Sequence, residues 1–359
     1  MNKQRLHLID IVRLLSFIPI VQYHAISQVY TDTYAEPYNV SLHKGTLFDF
    51  IVEICKPLSF SGFSIVILSF FLFGRQNLST EKTRRLGLLI GVGTLFLLFT
   101  GLGGFFSGIF WEWDIYEFLL VSVASVLVLQ RYPKALKALG IFGFFLTWIS
   151  FFHLAENESI PLVIRSILFG VCDNEGRGGW ALLPWIGLTW FCFYLGSLSK
   201  SSLQPELKKG FLKNEIFFWS PTLIGSLFCW GAFYSVPLNQ NFYCFVFRQE
   251  PIVWWSHLIW IFFLMRVSLI DALNDRLHSF SFVRWISGLK LSTHFGLCYL
   301  IQLLYLFVGS YFSDDFTDHP VIYTVFTLSI LPVTEGGTRF FLKAVSVLRR
   351  QRELKGETA

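Results

Sequence analysis

Charged side chains are scarce in this chain. Asp, Glu, Lys and Arg make up only 15% of its 359 residues, against about 25% in an ordinary soluble domain. Hydrophobic residues account for 53% and aromatic residues for 18%, which is more apolar surface than one water-facing domain can bury. The composition therefore argues against a soluble fold and predicts an all-α, polytopic membrane protein.

Cysteine spacing and net charge exclude further classes of protein. The six cysteines show no C-x-x-C spacing, so we expect neither a zinc site nor a thioredoxin-like pair, and no metal. The net charge of +5 is too small to indicate a nucleic acid partner. Asp10 and Arg13 interrupt the first apolar stretch, which predicts a retained helix instead of a cleavable signal peptide.

Apolar runs long enough to cross a bilayer recur along the chain. They predict about ten transmembrane helices, near residues 8–28, 52–73, 86–106, 115–130, 138–153, 181–199, 216–236, 251–270, 286–309 and 321–347. A shorter apolar stretch at 160–172 predicts an interfacial or re-entrant segment, with an eleventh helix as the alternative. Because no repeat or linker divides the chain, we expect one bundle over residues 1–347 and a short basic tail at 348–359.

The basic residues test this partition, because cytoplasmic loops are enriched in Lys and Arg. The ten helices place 22 of the 29 basic residues on one side of the membrane and four on the other. The loops on the second side are acidic. Both chain termini are therefore predicted to be cytoplasmic.

The first predicted helix carries three ionisable side chains, Asp10, Arg13 and His24. Ionisable groups inside a membrane segment indicate a functional role, because burying them costs free energy. The step from Arg13 to His24 corresponds to three helical turns plus about 20°, so both are predicted on one stripe, about 16 Å apart along the axis. Asp10 lies three residues before Arg13, near enough to pair with it.

Two interpretations of these residues stay open. Asp10 and Arg13 could form a simple ion pair near the interface, and His24 could be a satisfied polar residue between helices. The functional interpretation is stronger for His24, because a neutral imidazole is the usual general base that takes a proton from a hydroxyl. Elsewhere, Glu335 and Arg339 stand in the favourable i, i+4 order, which predicts a structural ion pair.

Four segments of the sequence share their pattern and order with a known group of membrane enzymes. Arg13 and His24 frame an R-x10-H pattern in the segment RLHLIDIVRLLSFIPIVQYH. The later segments are LSFFLFGR followed by Arg84 and Arg85, WALLPWIGLTWFCFYLG around Trp185, and GLCYLIQLLYL. Together they resemble the transmembrane acyltransferases, that is, the acyltransferase-3 proteins and their relatives similar to heparan-α-glucosaminide N-acetyltransferase.

The resemblance implies an acyl-CoA-dependent acyltransferase. The acyl group, usually acetyl, would pass from cytoplasmic acyl-CoA to a hydroxyl or amine of a glycan, a lipid-linked saccharide or another cell-envelope acceptor. It implies an integral protein of the bacterial cytoplasmic membrane, in contact with membrane lipid. His24 would act as the catalytic base in a direct attack on the thioester, or else carry the acyl group itself.

Arginines would hold the donor in this scheme. Arg75, Arg84 and Arg85 are predicted in one short cytoplasmic loop, and guanidinium groups suit the phosphates of CoA. The general enrichment of basic residues in cytoplasmic loops is the alternative explanation. Arg13 would lie along the path of the pantetheine arm, with Asp10 beside it as a supporting residue.

Two further residues have supporting roles in this scheme. Glu117 starts the fourth predicted helix at its outer end, where it could orient His24 or hold an acceptor, or be an exposed interfacial acid. Trp185 belongs to the third resembling segment, and a place in an interfacial aromatic belt is its alternative interpretation.

Two other classes of function compete with the enzyme. In a transporter or flippase, Asp10, Arg13 and His24 would form a proton or substrate pathway. A catalytically silent scaffold is the third class, because two positions depart from the family pattern. Leu14 follows Arg13 where relatives commonly have Gly, and Gln302 stands where relatives often have His.

Overall fold

The computed structural model describes residues 6–15, 17, 66–75, 79–100, 115–147, 154, 157–169, 182–198, 264–265, 267–268, 271–311 and 320–354. Within these residues the regular elements are helices and none is a strand. The prediction of an all-α fold is therefore confirmed for this part of the chain. No helix in these ranges combines the length and the hydropathy needed to cross a membrane.

Twelve helices are described, numbered here in chain order. They are α1 (7–15), α2 (66–75), α3 (Thr80–Thr100), α4 (Ile115–Leu129), α5 (Pro133–Leu146), α6 (Leu162–Phe169), α7 (Leu182–Leu198), α8 (Asp271–Ser279), α9 (Ser281–Gly288), α10 (Lys290–Thr293), α11 (Phe295–Ser310) and α12 (Pro320–Leu354). The predicted helix at 216–236 and most of the one at 251–270 lie outside the described residues.

The predicted continuous helix at 286–309 is wrong, because this stretch is interrupted twice. Leu289, between α9 and α10, has extended backbone angles (φ −67°, ψ 146°), and His294, between α10 and α11, also leaves the helical region (φ −129°, ψ 40°). An interruption exposes main-chain N–H and C=O groups that a continuous helix would pair internally. Other side chains must therefore pair them, as described below.

The described residues fall into two compact units. The first contains α1 and α8–α12, and α11 packs along α12. Its apolar core consists of the buried residues Phe17, Leu289, Leu291, Cys298, Leu306, Phe326 and Ile330. Phe17 meets Phe295 edge to face at 5.5 Å between ring centroids, which ties the N-terminal segment to the start of α11.

The second unit contains α2–α7, and α7 is its central helix. Helices α5 and α7 pack closely: a Cβ atom on Gly143 would meet the carbonyl oxygen of Gly187, and one on Gly187 would meet that of Gly143. The two backbones approach this closely because neither residue has a side chain. The indole N–H of Trp190 on α7 also donates to the Ser125 hydroxyl of α4, at 2.8 Å.

Candidate functional site

Three polar residues lie on one face of α1, at three-residue spacing. His7 and Asp10 are buried, with 7% and 6% of their surface exposed, and Arg13 is half-buried. Residues three apart on a helix are surface neighbours, so the three side chains form a continuous polar stripe. The stripe contacts the interrupted stretch around α9 and α10.

The first half of the stripe takes part in a chain of hydrogen bonds. The Ser287 hydroxyl of α9 lies 2.9 Å from Nδ1 of His7 and donates to Oδ2 of Asp10 at 3.1 Å. On its other side, Nε2 of His7 lies 3.2 Å from Nδ1 of His278 on α8. Four side chains from three helices are therefore linked in the order His278, His7, Ser287, Asp10.

The second half of the stripe stabilises the interruption between α9 and α10. Arg13 donates from Nη1 to the main-chain carbonyl of Ser292, at 2.9 Å. The Ser292 hydroxyl in turn donates to the carbonyls of Ser287 and Leu289, at 3.1 and 2.8 Å. A cation and a hydroxyl thus pair main-chain oxygens near the point where the helix breaks.

The carboxylate of Glu335 pairs the main-chain donors of the same break. It accepts from the N–H of Lys290 at 2.8 Å and from the N–H of Leu291 at 3.2 Å. It also accepts from Nε of Arg339 at 2.7 Å, so the predicted i, i+4 ion pair is confirmed. Because Glu335 reaches α10 from α12, it binds the start of a helix that it does not belong to, where a negative charge is favourable.

The predicted catalytic and supporting residues are only partly described. Asp10 and Arg13 lie together on α1, but their described contacts run to Ser287 and Ser292, and the proposed Asp10 to Arg13 pair stays a prediction. His24 lies outside the described residues. Glu117 lies in the first turn of α4, and its side chain is outside them too.

The three predicted donor-binding arginines belong to the second unit. Their placement in one short loop is wrong, because Arg75 lies in α2 and Arg84 and Arg85 lie within α3. The Ser79 hydroxyl accepts the Lys82 N–H at 3.3 Å, an N-terminal cap that starts the helix before the arginines. Arg84 and Arg85 are exposed, and Arg85 pairs with Glu81 one turn earlier.

Trp185 is completely buried at the first turns of α7. Its interpretation as an aromatic-belt residue is therefore wrong, because a belt residue presents its ring to the lipid interface.

Gln302, where the resembling family often has His, is also completely buried, on α11. Its neighbour one turn earlier, Cys298, lies 3.3 Å from the Thr338 hydroxyl of α12.

Sequence reasoning missed His7, Ser287 and His278. The spacing of His7 and Asp10 offered a signal, since it places them on the same helix face as Arg13. Ser287 and His278 offered none, because they reach His7 across 280 and 271 residues of chain. Only tertiary packing brings them together.

Imidazole, hydroxyl and carboxylate groups in hydrogen-bond contact can bind and pass protons near neutral pH. Within the described ranges, no group of three or more His, Cys, Asp or Glu side chains is placed to hold a metal ion. Comparison of the chain with known protein families, curated proteins and solved structures finds no match.

Proposed function

We propose that this chain is a membrane-bound acyltransferase that moves an acyl group, usually acetyl, from cytoplasmic acyl-CoA to a glycan or another cell-envelope acceptor. The observation that carries the proposal is the inward-facing polar stripe of α1, with buried Asp10 and with Arg13 bonded to the Ser292 carbonyl. This stripe falls within the segment that resembles the family, and its R-x10-H pattern supplies His24 as general base.

A location in the bacterial cytoplasmic membrane is part of the proposal. It is supported by the low charge content and by the distribution of 22 basic residues on one predicted side against four on the other. On this view the chain has about ten transmembrane helices and both termini face the cytoplasm. Membrane lipid is then a constant partner, and acyl-CoA and the acceptor bind from opposite sides.

Arg84 and Arg85 are the arginines best placed to meet a soluble donor, because both are exposed on α3. A CoA phosphate would compete with Glu81 for Arg85, since those two side chains already pair. Arg75 is half-buried and supports the donor from α2 in this scheme. Arg13 is less suitable for a binding test, because its contact with Ser292 also stabilises the break in the α9–α10 stretch.

Acetyl-CoA binding and transfer by the purified protein test the proposal. We expect release of free CoA and labelling of at least one acceptor from a panel of glycans and lipid-linked saccharides. Arg84→Ala and Arg85→Ala should each weaken acetyl-CoA binding by roughly 10-fold or more, because each removes a charge-assisted contact worth about 1.5 to 3 kcal/mol.

Arg131→Ala is the matched control, because Arg131 is also exposed and basic but lies in the turn between α4 and α5. It should bind acetyl-CoA like the wild type. Equal acetyl-CoA affinity in all three variants and in the Arg84→Ala, Arg85→Ala double variant would mean that the α3 arginines do not bind the donor. They would then reflect only the general enrichment of basic residues on the cytoplasmic side. Absence of any transfer by the folded wild type would contradict the proposed enzyme.

A transporter or flippase is the second candidate, and the interrupted stretch of α9, α10 and α11 favours it. Broken helices with ionisable side chains beside them are typical of transport sites. Asp10, Arg13 and His24 would then form the proton or substrate pathway. Proton-coupled uptake into vesicles that contain the protein, without CoA release, would select this function over acyl transfer.

A further inference from the structure

Four hydrogen-bonded side chains in the first unit connect an exposed residue to a buried one. His278 is exposed, whereas His7, Ser287 and Asp10 are buried with 7%, 5% and 6% of their surface accessible. The three links measure 3.2, 2.9 and 3.1 Å between the hydrogen-bonding atoms. Each link is within ordinary hydrogen-bond distance.

The donors of these links all point in one direction. The Ser287 hydroxyl has one hydrogen and gives it to Asp10, so its oxygen accepts the hydrogen of Nδ1 of His7. The other ring nitrogen of a neutral His7, Nε2, then accepts from Nδ1 of His278. Each of the three donors therefore faces toward the Asp10 carboxylate.

We propose that His278, His7 and Ser287 form a proton relay between the surrounding solution and Asp10. A protonated His278 passes the proton on Nδ1 to Nε2 of His7. His7 passes the proton on Nδ1 to the Ser287 oxygen, and Ser287 passes its own hydroxyl proton to Asp10. One proton enters, Asp10 becomes a neutral acid, and His278 returns to its neutral form.

Imidazole is the side chain that takes up and releases protons between pH 5 and 8, so the two histidines suit the entry of the relay. Arg13 on α1 is the charged neighbour of Asp10 along the same stripe. Among the charged groups of the adjoining helices, Asp275 and Arg276 on α8 and Arg284 on α9 are exposed, and Lys290 on α10 is half-buried. Water screens these exposed charges, so they are expected to affect the buried part of the relay only weakly.

A static role is the competing explanation, in which the four side chains only attach α1 to α8 and α9. The two roles differ in kinetics. A relay loses speed when its entry group is removed, and a small molecule that can donate a proton restores it. A static contact affects stability, and added imidazole does not reverse that effect.

The test follows Asp10 itself by time-resolved infrared spectroscopy after a rapid drop from about pH 8 to about pH 3, a range in which carboxyl groups in general take up a proton. The carbonyl stretch of a protonated carboxyl group is assigned to Asp10 by its disappearance in Asp10→Asn. We expect this band to rise about tenfold more slowly in His278→Ala than in the wild type, and to recover its rate in imidazole buffer. His278 is exposed, so its removal should leave the fold intact.

His294→Ala is the matched control, because His294 lies in the same unit and contacts the Thr293 hydroxyl. It should leave the rate unchanged. The relay is overturned if no Asp10 band rises, if His278→Ala keeps the wild-type rate, or if imidazole fails to restore a slowed rate. The inference does not rest on acyl transfer, because the band reports Asp10 in the protein without donor or acceptor.

Discussion

Glu–Arg pairs and glycines occur both on the exposed face of α3 and in the buried contacts of α7 and α12. The same residue types make different contacts in the two settings. A Glu-x-x-x-Arg pair occurs in α3 as Glu81 and Arg85, and in α12 as Glu335 and Arg339. The Glu81 side chain is 64% exposed, whereas that of Glu335 is 13% exposed and also accepts the N–H groups of Lys290 and Leu291.

Glycines show the same contrast within the second unit. A Cβ atom on Gly91 of α3 would meet nothing within 4 Å. One on Gly187 of α7 would meet the Gly143 carbonyl oxygen of α5. Neither the ion-pair spacing nor the presence of glycine therefore indicates a role by itself, and the surroundings decide it.

The largest expected effect tests the glycine contrast. Gly187→Ala should destabilise the protein by about 1 to 3 kcal/mol, because the new methyl group pushes α5 and α7 apart. Gly91→Ala is the matched control, and it should stabilise by about 0.4 to 1 kcal/mol through helix propensity and unfolded-state entropy. Denaturant unfolding in detergent micelles, followed by circular dichroism, measures the free energy of unfolding of both variants. Equal changes in the two variants would show that the close contact at Gly187 does not matter for stability.

A smaller effect is expected from the partly buried carboxylate. Glu335→Ala should cost about 1 to 2 kcal/mol, because it leaves the N–H groups at the start of α10 without their acceptor. Glu335→Gln keeps one acceptor oxygen, so its free energy of unfolding should lie between those of the wild type and Glu335→Ala. If Glu335→Ala has no measurable effect on unfolding, the interruption at Leu289 does not depend on this contact.

The exposed pair should have the smallest effect. Glu81→Ala removes one i, i+4 contact in water and should cost about 0.3 to 0.5 kcal/mol, and less at high salt. The same unfolding measurement at low and high salt checks this. A cost equal to that of Glu335→Ala would show that burial does not separate the two pairs.

Sequence patterns predicted α4 and α7 well, the ends of α3 and α5 only to within five to seven residues, and the interrupted stretch badly. The apolar runs at 115–130 and 181–199 match α4 (Ile115–Leu129) and α7 (Leu182–Leu198) within one residue at each end. The run at 286–309 has the same apolar character, but it breaks where distant residues pair its main-chain groups. Arg13 and Glu335 make that break stable, and no local pattern contains them.

The candidate site was predictable to the same limited degree. Helical spacing placed Asp10 and Arg13 on related faces of the first helix, which agrees with their position on the α1 stripe. The partners of that stripe, Ser287, Ser292 and His278, depend on tertiary packing between distant parts of the chain. The roles of His24 and Glu117 stay predictions.

The most direct test of the proposed acyltransferase is the turnover of His24→Gln per folded molecule. The variant keeps a polar side chain of similar size but cannot take up a proton at neutral pH. Acetyl transfer should fall by about 10² to 10⁴-fold while the acetyl-CoA affinity stays unchanged, because the base acts only in the transfer step. His153→Gln, at the margin of another predicted helix, should transfer at the wild-type rate. Wild-type turnover by folded His24→Gln protein would contradict the mechanism.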